Sequence, residues 1–191
     1  MPASRLRLFV ALELPDEVRQ HLASVPAGVT GIGRREWTPT QNLHLTLKFL
    51  GDVEADRLPA IIAALHQAGG LPPFDTQAGA FCCFPNPRRA RILAAELADE
   101  SGGLHAMQAR IDALCETIGF AKERRAFRAH VTLARGRPTL RADAVADVLH
   151  RAQALFPGPQ WTVDAFTLMR STLGGPAPVY EPVGRFDLRP L

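Results

Sequence analysis

The stretch Asn42-Leu43-His44-Leu45-Thr46-Leu47-Lys48-Phe49-Leu50, closed by Gly51-Asp52, reads as a β-strand. Its side chains alternate faces, so His44 and Thr46 point one way while Leu45 and Leu47 point into a core. The same four-residue word returns as His130-Val131-Thr132-Leu133, inside a second strand expected over 127–134. Each copy offers an imidazole and a hydroxyl side by side on one exposed sheet face. Two such strands facing one another make a pocket with two imidazoles, two hydroxyls and no carboxylate. That set suits a phosphate diester: one histidine takes a proton, the other gives one, and the hydroxyls hold the phosphate oxygens. A single copy would say little, since a strand histidine bonded to a neighbouring threonine is common. The repetition is what carries meaning.

Around the two words the pattern mixes strands and helices. Strands are expected over 5–14, 42–50, 74–84, 91–97, 127–134, 161–171 and 179–188. Helices are expected over 15–25, 54–68, 101–118 and 141–155. Pro15-Asp16-Glu17 suits a first turn, Gly69-Gly70 and Gly119 suit helix ends, and Pro85-Asn86-Pro87-Arg88 suits a hairpin turn. Loops are expected over 28–33 and at Gly174-Gly175-Pro176. Strict β-α-β alternation is missing, which favours an α+β fold with antiparallel pairing. The second word follows the first by a little under half the chain, and a helix precedes each. That suggests two related lobes, each giving one strand to a shared cleft. Internal similarity beyond the words is weak, so the duplication rests on them.

The chain has 191 residues, enough for one bilobal domain over 1–191. No apolar run reaches the roughly 20 residues that span a membrane. The amino terminus enters a strand without the order of a signal peptide, so a cytoplasmic protein is expected, with a monomer as the default state. The formal charge of +3 is mild and compatible with an anionic partner. Nearly all cations are arginine, with only Lys48 and Lys122 as lysines, and arginine's planar fork matches phosphate. Cys82, Cys83 and Cys115 lack zinc or dithiol spacing and are expected to be reduced and structural. Gly31-Ile32-Gly33 is an incomplete dinucleotide fingerprint, and no Walker loop, nucleophile elbow or zinc-protease helix is present. Acidic residues do not cluster around either word, which argues against a bound metal.

These words resemble those of the 2H phosphoesterase superfamily. Within it the chain is similar to the RNA 2′,3′-cyclic phosphodiesterases, once called 2′-5′ RNA ligases. The opening RLRLFVALELPDEV, Trp37 followed by NLHLTLKFLGDV, the segment FRAHVTLAR, and Ser171-Thr172-Leu173 with Tyr180 carry the likeness. The resemblance implies two pseudo-symmetric lobes, each an antiparallel sheet backed by helices, around a central active-site groove. It implies opening of an RNA 2′,3′-cyclic phosphate end, or of a cyclic nucleotide, to a 2′-phosphomonoester, without metal or cofactor. His44 would be the proton donor, His130 the proton acceptor, and Thr46, Thr132 and Arg135 the phosphate ligands. One departure is Ala129, where relatives carry proline before the second histidine. Proline would restrain the approach to the strand, but its loss removes no chemical group.

Further groove candidates follow from position. Ideal alternation turns Arg135 away from His130 unless the strand bulges or ends first, so Arg135 is either a phosphate ligand or a solvated strand-end charge. Arg128 shares the face of His130, and Lys48 shares that of His44. Trp37, Phe81, Phe84 and Tyr180 are candidate stacking surfaces for a base, with Phe81 better suited to a core. Three other activities remain open: cleavage or joining of a 2′-5′ linkage, binding of 2′-phosphate ends without turnover, and a structural domain bearing the words by accident.

Overall fold

The computed structural model describes residues 4–27, 29–175 and 177–189. Gly28 of the expected 28–33 loop and Pro176 of the expected turn lie outside them. Eight strands form one antiparallel sheet: β1 (Arg5–Glu13), β2 (His44–Glu54), β3 (Phe74–Phe84), β4 (Ile92–Ala98), β5 (His130–Arg135), β6 (Gln160–Val163), β7 (Ala165–Thr172) and β8 (Val179–Asp187). Their order is β6-β3-β4-β5-β2-β1-β7-β8. The sheet divides at its centre, because β5 and β2 are joined by the single pair Leu45 and Val131. Each half is a four-stranded antiparallel sheet, and each contributes one histidine strand to the seam.

Four helices back the halves: α1 (Asp16–Ala23), α2 (Leu58–His66), α3 (Gly103–Thr117) and α4 (Ala142–Arg151). Helices α2 and α3 pack on each other, with α3 against β2 and α2 against β8; α4 packs against β3. Asp16 and Glu17 occupy the first turn of α1, where the helix dipole favours negative charge. Helix α3 ends in a Schellman turn: Gly119 takes φ +88° and its N–H bonds the Glu116 carbonyl, while the Phe120 N–H bonds that of Cys115. Along β1, Leu8, Val10 and Leu12 face the main core, while Phe9 and Ala11 join Met169 and Tyr180 in a small cluster on the opposite face. Fully burying each large apolar side chain of the main core contributes ~1.5–3 kcal/mol.

The single strand expected over 161–171 is two. β6 pairs with β3 and β7 with β1, so the chain crosses from one half-sheet to the other at Asp164. Alternation cannot see this, because apolar residues continue on both sides of the corner. The corner is held by the Leu188 N–H donating to the Asp164 carbonyl at 2.7 Å.

Candidate active site

Leu45 stands opposite Val131 where the half-sheets meet. An antiparallel register centred on that pair sets His44 across from Thr132 and Thr46 across from His130. Leu45, Leu47, Val131 and Leu133 are buried in the main core. The two histidines and two threonines therefore share the other face, where all four are half-buried. A pseudo-twofold axis through the Leu45–Val131 pair exchanges the two words.

The histidines are held alike. His44 Nδ1 lies 2.7 Å from the Asn42 carbonyl oxygen, and His130 Nδ1 lies 2.7 Å from that of Arg128. Facing a carbonyl, each Nδ1–H donates, which leaves each Nε2 as the nitrogen free to exchange a proton. His44 Nε2 sits 3.1 Å from Thr46 Oγ1. The ring of His44 packs against Phe9 and Tyr180, with centroids 5.0 and 5.2 Å away, and that of His130 lies 5.1 Å from Phe84. Burial against these aromatics pushes the His44 pKa below its ordinary 6.5, partly offset by the bond to Asn42.

A β-bulge falls on the last residue of each word. On β1, Val10 faces Lys48 and Ala11 faces Thr46, so Leu47 is the extra residue of β2. On β4, Leu93 faces Ala134 and Ala94 faces Thr132, so Leu133 is the extra residue of β5. Each bulge reverses the alternation beyond it. Lys48 is consequently turned off the groove. It is buried, and its Nζ bonds the Asp112 carboxylate of α3 and the Ala121 carbonyl at 2.5 Å. The expectation that Lys48 reaches the groove mouth is corrected by the bulge at Leu47. The same device brings Arg135 onto the groove face. Its charge acts on the Tyr180 phenol, lowering a pKa that burial raises. Gly136 follows, packed so closely that a Cβ there would lie 2.4 Å from the Leu140 backbone nitrogen. By the pseudo-twofold, Phe49 occupies on β2 the place of Arg135. It is 65% exposed, and its ring lies 6.1 Å from Phe9.

The profile of the 2′-5′ RNA ligase superfamily matches residues 33–175, which include both words, both bulges and Arg135. The chain belongs to the 2′-5′ RNA ligase superfamily. It is 33% identical over 190 residues to an RNA 2′,3′-cyclic phosphodiesterase of Thermus thermophilus, covering 96% of this chain and 91% of the relative. An RNA 2′,3′-cyclic phosphodiesterase of Archaeoglobus fulgidus is 28% identical, over 95% of this chain and all of its own length. The crystal structure of a Thermus thermophilus protein superposes with a TM-score of 0.79 at 30% identity, over 97% of this chain and 99% of that one. Escherichia coli LigT in complex with 3′-AMP superposes at 0.76 and 26% identity, with the same coverage.

The remaining candidates of this family member divide. Arg128 lies on the groove wall, its guanidinium 4.5 Å above the Phe84 ring and 2.7 Å from the Glu96 carboxylate. Arg135 has no carboxylate partner among the described residues. Phe84 and Tyr180 flank the two histidines, but Trp37 and Phe81 pack against the main core. Trp37 forms an isolated backbone bridge with Ala134, which holds its backbone beside β5. Ala129 is buried, and its carbonyl accepts the Leu97 N–H at 2.9 Å, so β4 guides the approach that a proline would have restrained.

The pocket without carboxylates needs correction. Glu13 is the cross-strand partner of His44, and Glu96 that of His130. Cross-strand partners share a face, so each histidine has a glutamate beside it. Glu13 accepts the Thr167 hydroxyl at 2.7 Å. Glu96 is shared between Arg128 and the Cys82 thiol. Thr167 and Cys82 are themselves equivalent, paired with Ala11 and Ala94. The signal was present in Phe9-Val10-Ala11-Leu12-Glu13-Leu14 and Ile92-Leu93-Ala94-Ala95-Glu96-Leu97, two similar hexads that only the register shows to be equivalent. Burial and then Glu96 push the Cys82 thiol up to about 12, so it stays protonated at neutral pH. No group of three or more histidine, cysteine or acidic side chains among the described residues is arranged to hold a metal ion. No described helix is long and apolar enough to cross a membrane.

Proposed function

We propose that this groove hydrolyses RNA 2′,3′-cyclic phosphate ends to 2′-phosphomonoesters, using two histidines and no metal. The observation that carries the reading is the matched pair of imidazoles. Both have Nδ1 tied to a backbone carbonyl, and both have Nε2 on the same face of one seam. His130 Nε2 takes a proton from water as the water oxygen bonds to phosphorus. The bond from phosphorus to the 3′ oxygen breaks, and His44 Nε2–H protonates that oxygen. The 2′ ester bond remains. Burial makes the His44 imidazolium a stronger acid than ordinary imidazolium, which suits a donor to an alkoxide-like leaving group. Thr46, Thr132 and Arg135 are placed to donate to the nonbridging oxygens, where charge gathers in the transition state. Relatives named RNA 2′,3′-cyclic phosphodiesterase and the capture of 3′-AMP by LigT support the same substrate class.

The test is turnover of a 2′,3′-cyclic nucleotide in chelator. His44→Ala and His130→Ala should each lose roughly 10²–10⁴-fold in kcat while the circular dichroism spectrum is unchanged. Near-normal turnover by both variants would overturn the assignment. The superfamily's name favours a second use of the site, on 2′-5′ linkages. A ribose hydroxyl competes with water for the same phosphorus, so ligation needs no further residue. Product analysis on cyclic and 2′-5′-linked substrates side by side separates the two. A module that only binds 2′-phosphate ends would turn over neither.

A further inference from the structure

Beyond the groove, one end of the molecule is unusually basic. Three segments meet at the carboxyl end of β5. The Arg135 N–H bonds the Glu36 carbonyl at 2.8 Å, the Gly136 N–H bonds that of Arg91 at 2.9 Å, and the Leu140 N–H bonds that of Ala90 at 2.7 Å. These bonds tie the 33–36 turn, the β3–β4 hairpin and the 136–140 loop to the strand that carries Arg135. The three segments bear Arg34 and Arg35, Arg88, Arg89 and Arg91, and Arg137, all exposed. The hairpin tip is not a loose tether, because Asn86 Oδ1 accepts the N–H groups of Arg88 and Arg89 at 3.1 Å each.

Five arginines elsewhere on the surface are matched: Arg5 with Glu54, Arg7 with Asp52, Arg151 with Asp147, Arg170 with Glu181 and Arg185 with Asp164. None of the six at this end has a carboxylate within salt-bridge distance among the described residues. The nearby acids are already engaged, Glu36 with the Gly33 N–H and Asp143 with Arg141. These six are drawn from 22 lysines and arginines in a chain whose formal net charge is only +3, so this end carries far more positive charge than the average of the chain. A concentration of unmatched guanidinium groups costs self-repulsion, which a polyanion removes.

We propose that this arginine end is the docking surface for the phosphodiester backbone of the RNA whose cyclic end enters the groove. It makes the enzyme selective for polymeric RNA over mononucleotides. The proposal rests on the groove reading given above, and it adds a second binding element outside the chemistry. Arg135 lies where the two meet, with its backbone in the stitched end and its side chain on the groove face. Binding of phosphates here releases condensed counterions, so affinity for RNA falls with salt while affinity for a mononucleotide barely responds.

The test compares an oligoribonucleotide ending in a 2′,3′-cyclic phosphate with 2′,3′-cyclic AMP across a potassium chloride series. Binding of the 2′-phosphate product RNA is followed separately by fluorescence anisotropy. In R34Q/R35Q and in R88Q/R89Q, kcat/KM and affinity for the oligomer should fall about tenfold or more, and the log–log salt slope should shrink by ~0.7 for each phosphate left unneutralised. Turnover of cyclic AMP should stay unchanged. R124Q/R125Q, at the opposite end of β5, is the control and should bind the oligomer as the parent does. Equal oligomer binding by the parent and both arginine-end variants would overturn the proposal, as would a loss confined to R124Q/R125Q. If neither substrate is turned over but salt-dependent binding fails only in the arginine-end variants, the groove reading is wrong and the docking surface stands.

Discussion

His44 and His130 share a backbone partner geometry but not an environment. Aromatic burial holds the pKa of His44 below 6.5, so its neutral form predominates at neutral pH. A group of this kind supports the fold fully above pH 6.5, and that support is lost as the pH falls through the lowered value, because the unfolded chain takes up the proton first. The melting temperature should therefore drop on acidification below about pH 6.5 more steeply in the parent than in His44→Gln. Phosphate in the groove reverses the preference, since an anion favours imidazolium. NMR titration of the His44 ring should show its pKa rising when a nucleoside 2′-phosphate is added. An unmoved titration would remove the anion from the neighbourhood of Nε2.

At the scale of elements, two bulges decide which side chains serve the groove. Leu47 and Leu133 each add one residue after a His-x-Thr triplet, and the strand beyond is turned over. Lys48 thereby becomes half of a buried ion pair with Asp112, whose carboxylate also accepts the Glu123 N–H at 3.2 Å. That pair fastens β2 to α3 and to the segment leading into β5. Lys48→Met should destabilise the protein by roughly 3–5 kcal/mol, because it strands a buried carboxylate, and K48M/D112L should recover much of the loss. Denaturant melts of the two variants check this. A single variant as stable as the parent would mean that the pair is solvated.

For the whole molecule the weak line is the seam. Two four-stranded half-sheets are joined in one ladder by a single residue pair, so the spacing of the histidines depends on the packing beneath Leu45 and Val131, both fully buried. Leu45→Ala should cost ~2–5 kcal/mol through the cavity it leaves. It should also lower kcat by more than it changes KM, since the reacting pair would loosen while the groove walls remain. Parallel melts and steady-state kinetics read both effects. A fall in stability with kcat untouched would mean that the seam does not set the catalytic distance.

Amino-acid order alone accounts for the antiparallel α+β class, the repeated His-x-Thr words, the placing of Leu45 and Val131 in the core and the superfamily resemblance. These follow from periods of two and 3.6 and from local chemistry, which are readable along a chain. The exclusion of Lys48, the entry of Arg135, the glutamates beside the histidines and the break at Asp164 arise from pairing between distant strands. A bulge is defined only against its partner strand, so no count along one segment reveals it. The gathering of arginines from three separate loops at one end has the same origin: tertiary hydrogen bonds brought together charges that are scattered in sequence.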